Sequence, residues 1–221
     1  MIRLFTSLCK SVLEKMSDEA IFQEATDDFR YHNERCPGCG AEGKLSPYGD
    51  YSRYLVSHDG EEVLESRVSP LRFECVSCGI THALLPDIIV PYSQYSLRFM
   101  LTVLVAYFDR NTTVLAVCAS YGIAVSTLYA WKHRLLEHKN LLLGVLASLK
   151  EPVQVFLRGL FISLRPSDQL CGFFRRYGFS FMQNRTDGFP RAGTGPHAGT
   201  PAKRVQAGAK LSTAATHFQP P

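Results

Sequence analysis

Hydrophobic residues between about positions 96 and 136 recur every three or four residues, which is the period of an amphipathic helix. The pattern predicts a first helix from about Ser96 to Phe108. The segment "DRNTT" interrupts this helix, and Thr112 or Thr113 can cap the next one. A third helix is predicted to begin at about Val125. The apolar face of the second helix comprises Val114, Val117, Cys118 and Tyr121.

A short turn separates the second and third predicted helices. Gly122 can adopt the left-handed conformation that ends the second helix, and we expect Ile123 and Val125 to point inward. Three helices with a glycine turn before the last are typical of a helix-turn-helix domain. A buried helical hairpin shows the same apolar spacing, so that alternative stays open. The predicted buried stripe of the third helix is Leu128, Trp131 and Leu135.

The opposite face of the third helix carries hydroxyl groups, an aromatic ring and cations. Such groups can contact phosphates and base edges in a major groove of DNA. The sequence therefore predicts a DNA-reading face on this helix, which runs from about Val125 to Leu136. The predicted DNA-contacting residues are Ser126, Thr127, Tyr129, Lys132, His133 and Arg134.

Four of the seven cysteines form two CxxC pairs, each followed directly by glycine. The pairs are Cys36 with Cys39 and Cys75 with Cys78. This spacing lets a tight turn present two sulfurs to one ion, so we expect a tetrahedral Zn²⁺ site with a structural role. Disulfides or a redox CxxC are the alternatives. His82 could replace a cysteine ligand, although four thiolates suffice and we expect this histidine to cap or pack.

Alternating stretches lie between the two cysteine pairs. The segments "LSPYGDYSRYLVS" and "EEVLESRVSPLRFEC" flank the turn "HDGEE", which predicts short antiparallel strands. About 35 residues separate the pairs, so a longer hairpin or a third strand must fit inside the ribbon. Between positions 31 and 97 nine acidic residues oppose five basic ones. This charge makes the ribbon a poor surface for phosphate neutralisation.

The remaining segments complete the predicted organisation of the 221 residues. Residues 1–30 favour an amphipathic helical segment with Ile2 and Phe5 on one side, and residues 139–184 favour further helices. Residues 185–221 are rich in Gly, Pro, Ala and Thr, and they carry the whole formal charge of +4. This composition predicts a disordered tail, although a frameshifted reading frame would look the same. Residues 31–90 would then form the zinc ribbon and 91–138 the helix-turn-helix domain.

Two stretches resemble known bacterial proteins. The segment "YGIAVSTLYAWKHRL" resembles the helix-turn-helix of insertion-sequence transposases and their accessory proteins. The segments "CPGCG", "RFECVSCGITHALLPD" and "PYSQYS" resemble the zinc ribbon that precedes this motif in an uncharacterised transposase-associated family. The resemblance covers Cys36 to His138, and it implies DNA contacts by Ser126, Thr127, Tyr129, Lys132 and His133. Ala124 and Ala130 depart from the motif, because many relatives carry a Ser or Thr cap and an Arg at these positions.

These observations predict a mainly α-helical fold with a small β zinc ribbon, a three-helix helix-turn-helix core, further C-terminal helices and a disordered tail. Transposase chemistry requires carboxylates that hold two metal ions, and only about 80 helical or disordered residues follow His138. We therefore expect no enzymatic activity of the chain itself. The longest apolar run, Phe99–Phe108, is too short to cross a membrane.

The function expected from the sequence is that of a cytoplasmic, nucleoid-associated DNA-binding protein of the mobile-element type. It would bind double-stranded DNA and work with a separate transposase catalytic subunit, and a homodimer is also compatible with the sequence. A transcription regulator built from the same parts is one alternative. A zinc-ribbon module for protein–protein interaction is another, and an enzyme with a catalytic zinc is the weakest.

Overall fold

A computed structural model describes residues 1–5, 16–27, 29–59, 62–162 and 166–184. The predicted disordered tail, residues 185–221, lies outside the described residues. Residues 6–15 of the predicted N-terminal helical segment also lie outside them. The described part of the chain is 46% helical with about 23% strand, which agrees with a mainly α-helical protein that carries small sheets.

Six strands form two small sheets in the described part of the chain. They are β1 (Ile2–Leu4), β2 (Leu45–Asp50), β3 (Arg53–His58), β4 (Val63–Val68), β5 (Leu71–Cys75) and β6 (Thr81–Pro86). The larger sheet has the order β1–β6–β5–β2. Strand β1 is parallel to β6, and the other neighbours in this sheet are antiparallel. Strands β3 and β4 form the second sheet.

The β3–β4 hairpin lies between β2 and β5 in the sequence and fills the long interval between the two cysteine pairs. His58 pairs with Val63 around the segment "HDGEE", so the predicted hairpin is confirmed. Leu55 and Val56 are both buried, although consecutive side chains of a strand point to opposite faces. Leu55 packs in the core beside the first helix, and Val56 packs in the core of the later helices. The hairpin therefore lies between two hydrophobic cores.

Seven α-helices are present in the described ranges. They are α1 (Asp18–Asp27), α2 (Leu97–Phe108), α3 (Val114–Ser120), α4 (Val125–Leu143), α5 (Val145–Lys150), α6 (Val153–Ile162) and α7 (Pro166–Tyr177). The predicted cap Thr113 is confirmed, because its hydroxyl accepts from the Ala116 N–H. Ser96, the predicted start of the preceding helix, is the N-cap of α2, and its hydroxyl accepts from the Phe99 N–H. No single helix among these is long and apolar enough to span a membrane; α3 and α4 reach that length and apolarity only together, and they are bent by 102°.

Two sequence predictions about helix positions need correction. Residues 2–4 form strand β1 and not the start of an amphipathic helix, because their backbone groups pair with β6. Ile2, predicted on the apolar side of that helix, is instead buried in the sheet. Helix α4 extends to Leu143, beyond the predicted end near Leu136, and it stops at Gly144, whose φ is 81°.

The later helices share one hydrophobic core. The residues predicted as its central stripe, Leu128, Trp131 and Leu135, are at most 4% exposed. The Trp131 ring contacts Tyr95 edge-on at 4.9 Å between centroids, and a second edge-on contact joins it to Phe99 at 6.1 Å. Side chains of α6 and α7 are buried in the same core: Phe156, Leu157, Leu160 and Phe173. The C-terminal helices thus extend this core.

Main-chain hydrogen bonds join the β3–β4 hairpin to the start of α2. The Val56 N–H donates to the Gln94 carbonyl at 2.8 Å, and the Ser96 N–H donates to the Val56 carbonyl at 2.9 Å. Ser96 is also the residue that caps α2. The hairpin therefore fixes the position at which the first helix of the helical core begins.

Two arginines hold the connector between β6 and α2. Arg3 donates to the Ile89 carbonyl at 2.8 Å, and Arg53 donates to the carbonyls of Val90 and Ser93 at 2.6 and 2.5 Å. Burial lowers the pKa of Arg3 to about 10, which leaves its guanidinium charged at neutral pH. Residues 87–91 of this connector are buried, and carbonyl groups along the connector accept hydrogen bonds from cationic side chains.

The packing of the helical core predicts that the loss of stability on truncating a leucine to alanine depends on how buried that leucine is. Leu128→Ala should lower the free energy of unfolding by about 3 kcal/mol, because Leu128 is fully buried and truncation leaves a cavity. Leu115→Ala makes the same chemical change on α3 at a side chain that is 72% exposed, and it should change stability by less than about 0.5 kcal/mol. Urea denaturation followed by circular dichroism measures both values. Equal losses in the two variants would contradict the packing described above.

Candidate metal centre and nucleic-acid interface

Each CxxC pair lies in a turn that two main-chain hydrogen bonds close. The carbonyl of the first cysteine accepts from the N–H of the glycine after the second cysteine, at 2.8 Å in one turn and 2.7 Å in the other. The N–H of the first cysteine donates to the carbonyl five residues later, at 2.9 and 3.0 Å. Gly40 and Gly79 have φ values of 76° and 70°, a conformation that favours glycine. The two turns are therefore built in the same way.

The two turns bring four sulfur atoms together. The sulfurs of Cys36, Cys39, Cys75 and Cys78 all lie within 4.8 Å of one another. Cys36 Sγ lies 3.8 Å from Cys78 Sγ, and Cys39 Sγ lies 3.7 Å from Cys75 Sγ. Thiolates bound tetrahedrally at a metal–sulfur distance of about 2.3 Å would be about 3.8 Å apart. The four cysteines could therefore bind one metal ion.

The two cysteines of each turn differ in exposure. Cys36 and Cys75 are buried, whereas Cys39 and Cys78 are exposed. Cys75 ends β5 and pairs with Leu45 of β2, and Cys36 is buried in the same hydrophobic cluster as these two residues. A metal ion in this cluster would be bound by two buried sulfurs and by two sulfurs at the protein surface.

The pKa values of Cys75 and Cys78 are shifted in opposite directions. Burial raises the pKa of the Cys75 thiol, but hydrogen bonds from the backbone N–H groups of Cys78 and Ser77 outweigh it and bring the pKa to about 7. The backbone N–H of Ile80 lowers the pKa of Cys78, but burial and the three neighbouring sulfurs raise it to about 12. Since metal ligands must be deprotonated, metal binding here would release protons.

His82 lies beside this cluster on β6. It is 4% exposed, and its Nε2 is 3.3 Å from Cys36 Sγ. Its Nδ1 is 3.0 Å from the amino group of Met1. Burial lowers the pKa of His82, and the nearby positive charge of that amino group lowers it further. The sequence predicted a capping or packing histidine and gave no sign of this contact with Cys36.

Helices α3 and α4 form the second candidate site. Their axes are bent by 102° relative to each other, and four residues from Tyr121 to Ala124 connect them. Gly122 in this connection has a φ of 61°, as the sequence predicted. Ile123 is buried, and Val125 is partly buried against the helical core.

Three of the predicted DNA-contacting residues, Ser126, Tyr129 and His133, are exposed on α4. Their spacing of three and four residues places them on one helix face. Thr127 and Lys132 are half-buried.

Lys132 is held by two tyrosines. Its Nζ donates to the Tyr107 hydroxyl at 3.1 Å and lies 5.4 and 5.6 Å from the ring centroids of Tyr107 and Tyr129. Tyr107 belongs to α2, 25 residues earlier in the chain. No local sequence pattern therefore identifies it as a partner of Lys132 on the predicted DNA-reading face. Arg134 lies apart from this group, because its half-buried guanidinium donates to the Met182 carbonyl at 3.2 Å.

Comparison with known proteins identifies one domain. A domain of unknown function, DUF6431, covers residues 36–131. No curated protein and no solved structure shows a significant match to the chain. The matched segment begins at Cys36 and ends at Trp131 within α4, so it includes the cysteine cluster, all of α3 and the first part of α4.

The cysteine cluster predicts a specific loss of metal binding. Cys39→Ser should abolish stable binding of Co²⁺, used as a spectroscopic probe, because it removes one of four thiolates. Cys39 is exposed, so this change should leave the hydrophobic cores intact. Cys171→Ser, on α7, removes a thiol outside the cluster and should bind Co²⁺ like the wild type. The thiolate-to-cobalt charge-transfer band measures both, and a normal band in Cys39→Ser would contradict the site.

Proposed function

We propose that this chain is a DNA-binding protein of the mobile-element type that recognises double-stranded DNA through the α3–α4 pair. The observation that carries the proposal is the geometry of this pair. A bend of 102° and a four-residue connection with a left-handed glycine match the general description of a helix-turn-helix, in which helices meet at about 90–120°. The second helix would enter the major groove.

The first turn of α4 supports phosphate binding. Its N-cap residue is Ala124, which provides no side-chain hydrogen bond to the helix. The backbone N–H groups of this turn can therefore donate to a DNA phosphate, as helix N-termini commonly do. Ser126 and Thr127 add hydroxyl groups in the same turn.

The later part of α4 supports contacts deeper in the groove. Tyr129 and His133 are exposed side chains that can meet base edges. Lys132 supplies a positive charge whose position the hydroxyl of Tyr107 restrains. A restrained cation loses less side-chain entropy on binding than a free one, which favours Lys132 over Arg134 as the main cationic contact.

The four cysteines support a structural zinc ion in the same protein. Thiolates are soft ligands, and a tetrahedral set of four suits Zn²⁺. Four protein ligands leave no open coordination position for a substrate. Zinc would therefore stabilise the ribbon and not perform chemistry.

The catalytic step of transposition would belong to a separate subunit. Two-metal chemistry on DNA requires clustered carboxylates, and the metal-binding group found among the described residues consists of cysteines. We therefore propose an accessory role in DNA recognition within the cytoplasm, at the nucleoid. A transcription regulator would use the same reading face on an operator.

A protein–protein interaction module is the second candidate function. Helix α5 carries three aliphatic side chains that are between 63% and 79% exposed: Val145, Leu146 and Leu149. This is an unusual concentration of exposed aliphatic side chains. The acidic excess of the ribbon also suits a protein partner better than DNA. In that case α3 and α4 would be a packed hairpin.

A charge placed on the reading face distinguishes these functions. Ser126→Glu should weaken binding to a random-sequence duplex by about fivefold or more, because a like charge about 4 Å from a phosphate costs about 1 kcal/mol even in water. The folded state should keep its stability, since an acidic residue in the first turn of a helix interacts favourably with the helix dipole. Fluorescence anisotropy at two salt concentrations measures the binding.

Ala147→Glu is the matched control. It adds the same charge to an exposed position of α5, away from the proposed reading face, and should leave DNA binding unchanged. Equal weakening by both variants would indicate a general charge effect and contradict the assignment of α4. If the wild-type protein binds no duplex at low salt, the DNA-binding proposal is wrong and the interaction module takes its place.

A further inference from the structure

The environment of Cys36 differs from that of the equivalent cysteine in the second turn. Cys36 Sγ accepts from the Gly38 N–H at 3.3 Å, and the imidazole Nε2 of His82 lies at the same distance of 3.3 Å. Cys75 Sγ accepts hydrogen bonds from the backbone N–H groups of Cys78 and Ser77. Cys36 therefore has one backbone N–H and one imidazole nitrogen beside its sulfur, whereas Cys75 has two backbone N–H groups.

The partners of the His82 ring determine its tautomer. A metal-bound thiolate has no proton, so the Cys36 sulfur can only accept a hydrogen bond, and His82 Nε2 must carry the hydrogen. A neutral ring then leaves Nδ1 as the acceptor. The Met1 amino group lies 3.0 Å from Nδ1, which suits this assignment because an amino group can donate.

The fold holds the ring in this position. His82 belongs to β6, the central strand between β1 and β5, and the parallel strand β1 lies beside it. Gly38, in the first cysteine turn, has no side chain, and a Cβ there would lie 3.0 Å from the Ile80 side chain and 3.7 Å from His82 Cε1. The first cysteine turn therefore lies within van der Waals reach of the histidine ring.

We propose that His82 is an outer-sphere residue of the metal centre, whose Nε2–H donates to Cys36 Sγ and thereby sets the metal affinity of the site and the reactivity of Cys36. This inference rests on the metal site proposed above. Cys36 is only 2% exposed, so water cannot offset the negative charge of its thiolate, and a buried charge requires hydrogen-bond donors. Loss of an outer-sphere partner typically lowers metal affinity about 10–100-fold.

Two polar variants test this role without creating an apolar cavity. In His82→Gln the amide nitrogen occupies about the position of Nε2 and can still donate to Cys36. In His82→Asn the shorter side chain places its amide nitrogen near the position of Nδ1, away from the sulfur. Competition titrations with Co²⁺ should show about 10–100-fold weaker binding for His82→Asn and near wild-type binding for His82→Gln. His32→Asn, at an exposed position outside the cysteine cluster, is the control and should bind as the wild type does.

A second readout separates this role from a general loss of stability. Residue-resolved alkylation by iodoacetamide should become faster at Cys36 relative to Cys75 in His82→Asn, because the thiolate that lost its donor becomes more nucleophilic. Cys75 serves as the internal reference, since it is also buried. Unfolding would instead accelerate both cysteines together, and that result would overturn the proposal.

The remaining outcomes are also decisive. Unchanged affinity and an unchanged Cys36-to-Cys75 ratio in His82→Asn would overturn the role of His82 and leave the four-cysteine site in place. A wild-type cobalt spectrum with three thiolates and one imidazole would make His82 a ligand and would likewise overturn it. Failure of the wild-type protein to bind Co²⁺ would overturn both this inference and the proposed metal site.

Discussion

The pairing of Val56 with Gln94 and Ser96 is the contact on which the arrangement of the two halves depends. One strand residue uses both its N–H and its carbonyl on the segment that leads into α2. Ser96 then caps that helix, so the hairpin and the start of the helical core are parts of one hydrogen-bonded unit. Arg53 strengthens the same junction through the carbonyls of Val90 and Ser93. The ribbon and the helices therefore pack as neighbours with a shared boundary.

This junction connects the candidate metal centre to the candidate reading face. Strands β2 and β5 pair from Leu45 and Cys75 at the cysteine end to Asp50 and Leu71 at the other, and the β3–β4 hairpin continues from that far end. The tip of the hairpin approaches the turn before α4, where the His58 and Tyr121 rings are 5.3 Å apart. A metal ion that orders the cysteine turns would thus stabilise β2 and β5. These strands lead into the β3–β4 hairpin, which contacts the helices.

The two candidate sites offer different chemical groups. The cysteine cluster offers four sulfur ligands and lies in an acidic segment, which suits a structural ion better than a DNA backbone. The α4 face offers exposed hydroxyl, aromatic and imidazole groups beside Lys132, whose ammonium group two tyrosines restrain. We therefore assign recognition to the helices and stability to the ribbon in the function proposed here.

The sequence by itself determined the features that depend on local spacing. The cysteine pairs, the cap Thr113 and the left-handed Gly122 depend on residues only a few positions apart, and the helical period identified the buried stripe of α4. Only the tertiary structure decided the contacts between distant segments. Strand β1 forms because β6 pairs with it across about 80 residues, Lys132 meets Tyr107 of another helix, and His82 reaches Cys36 through the folded sheet. Such contacts leave no periodic pattern, because packing between elements and not the conformation of either segment brings the groups together.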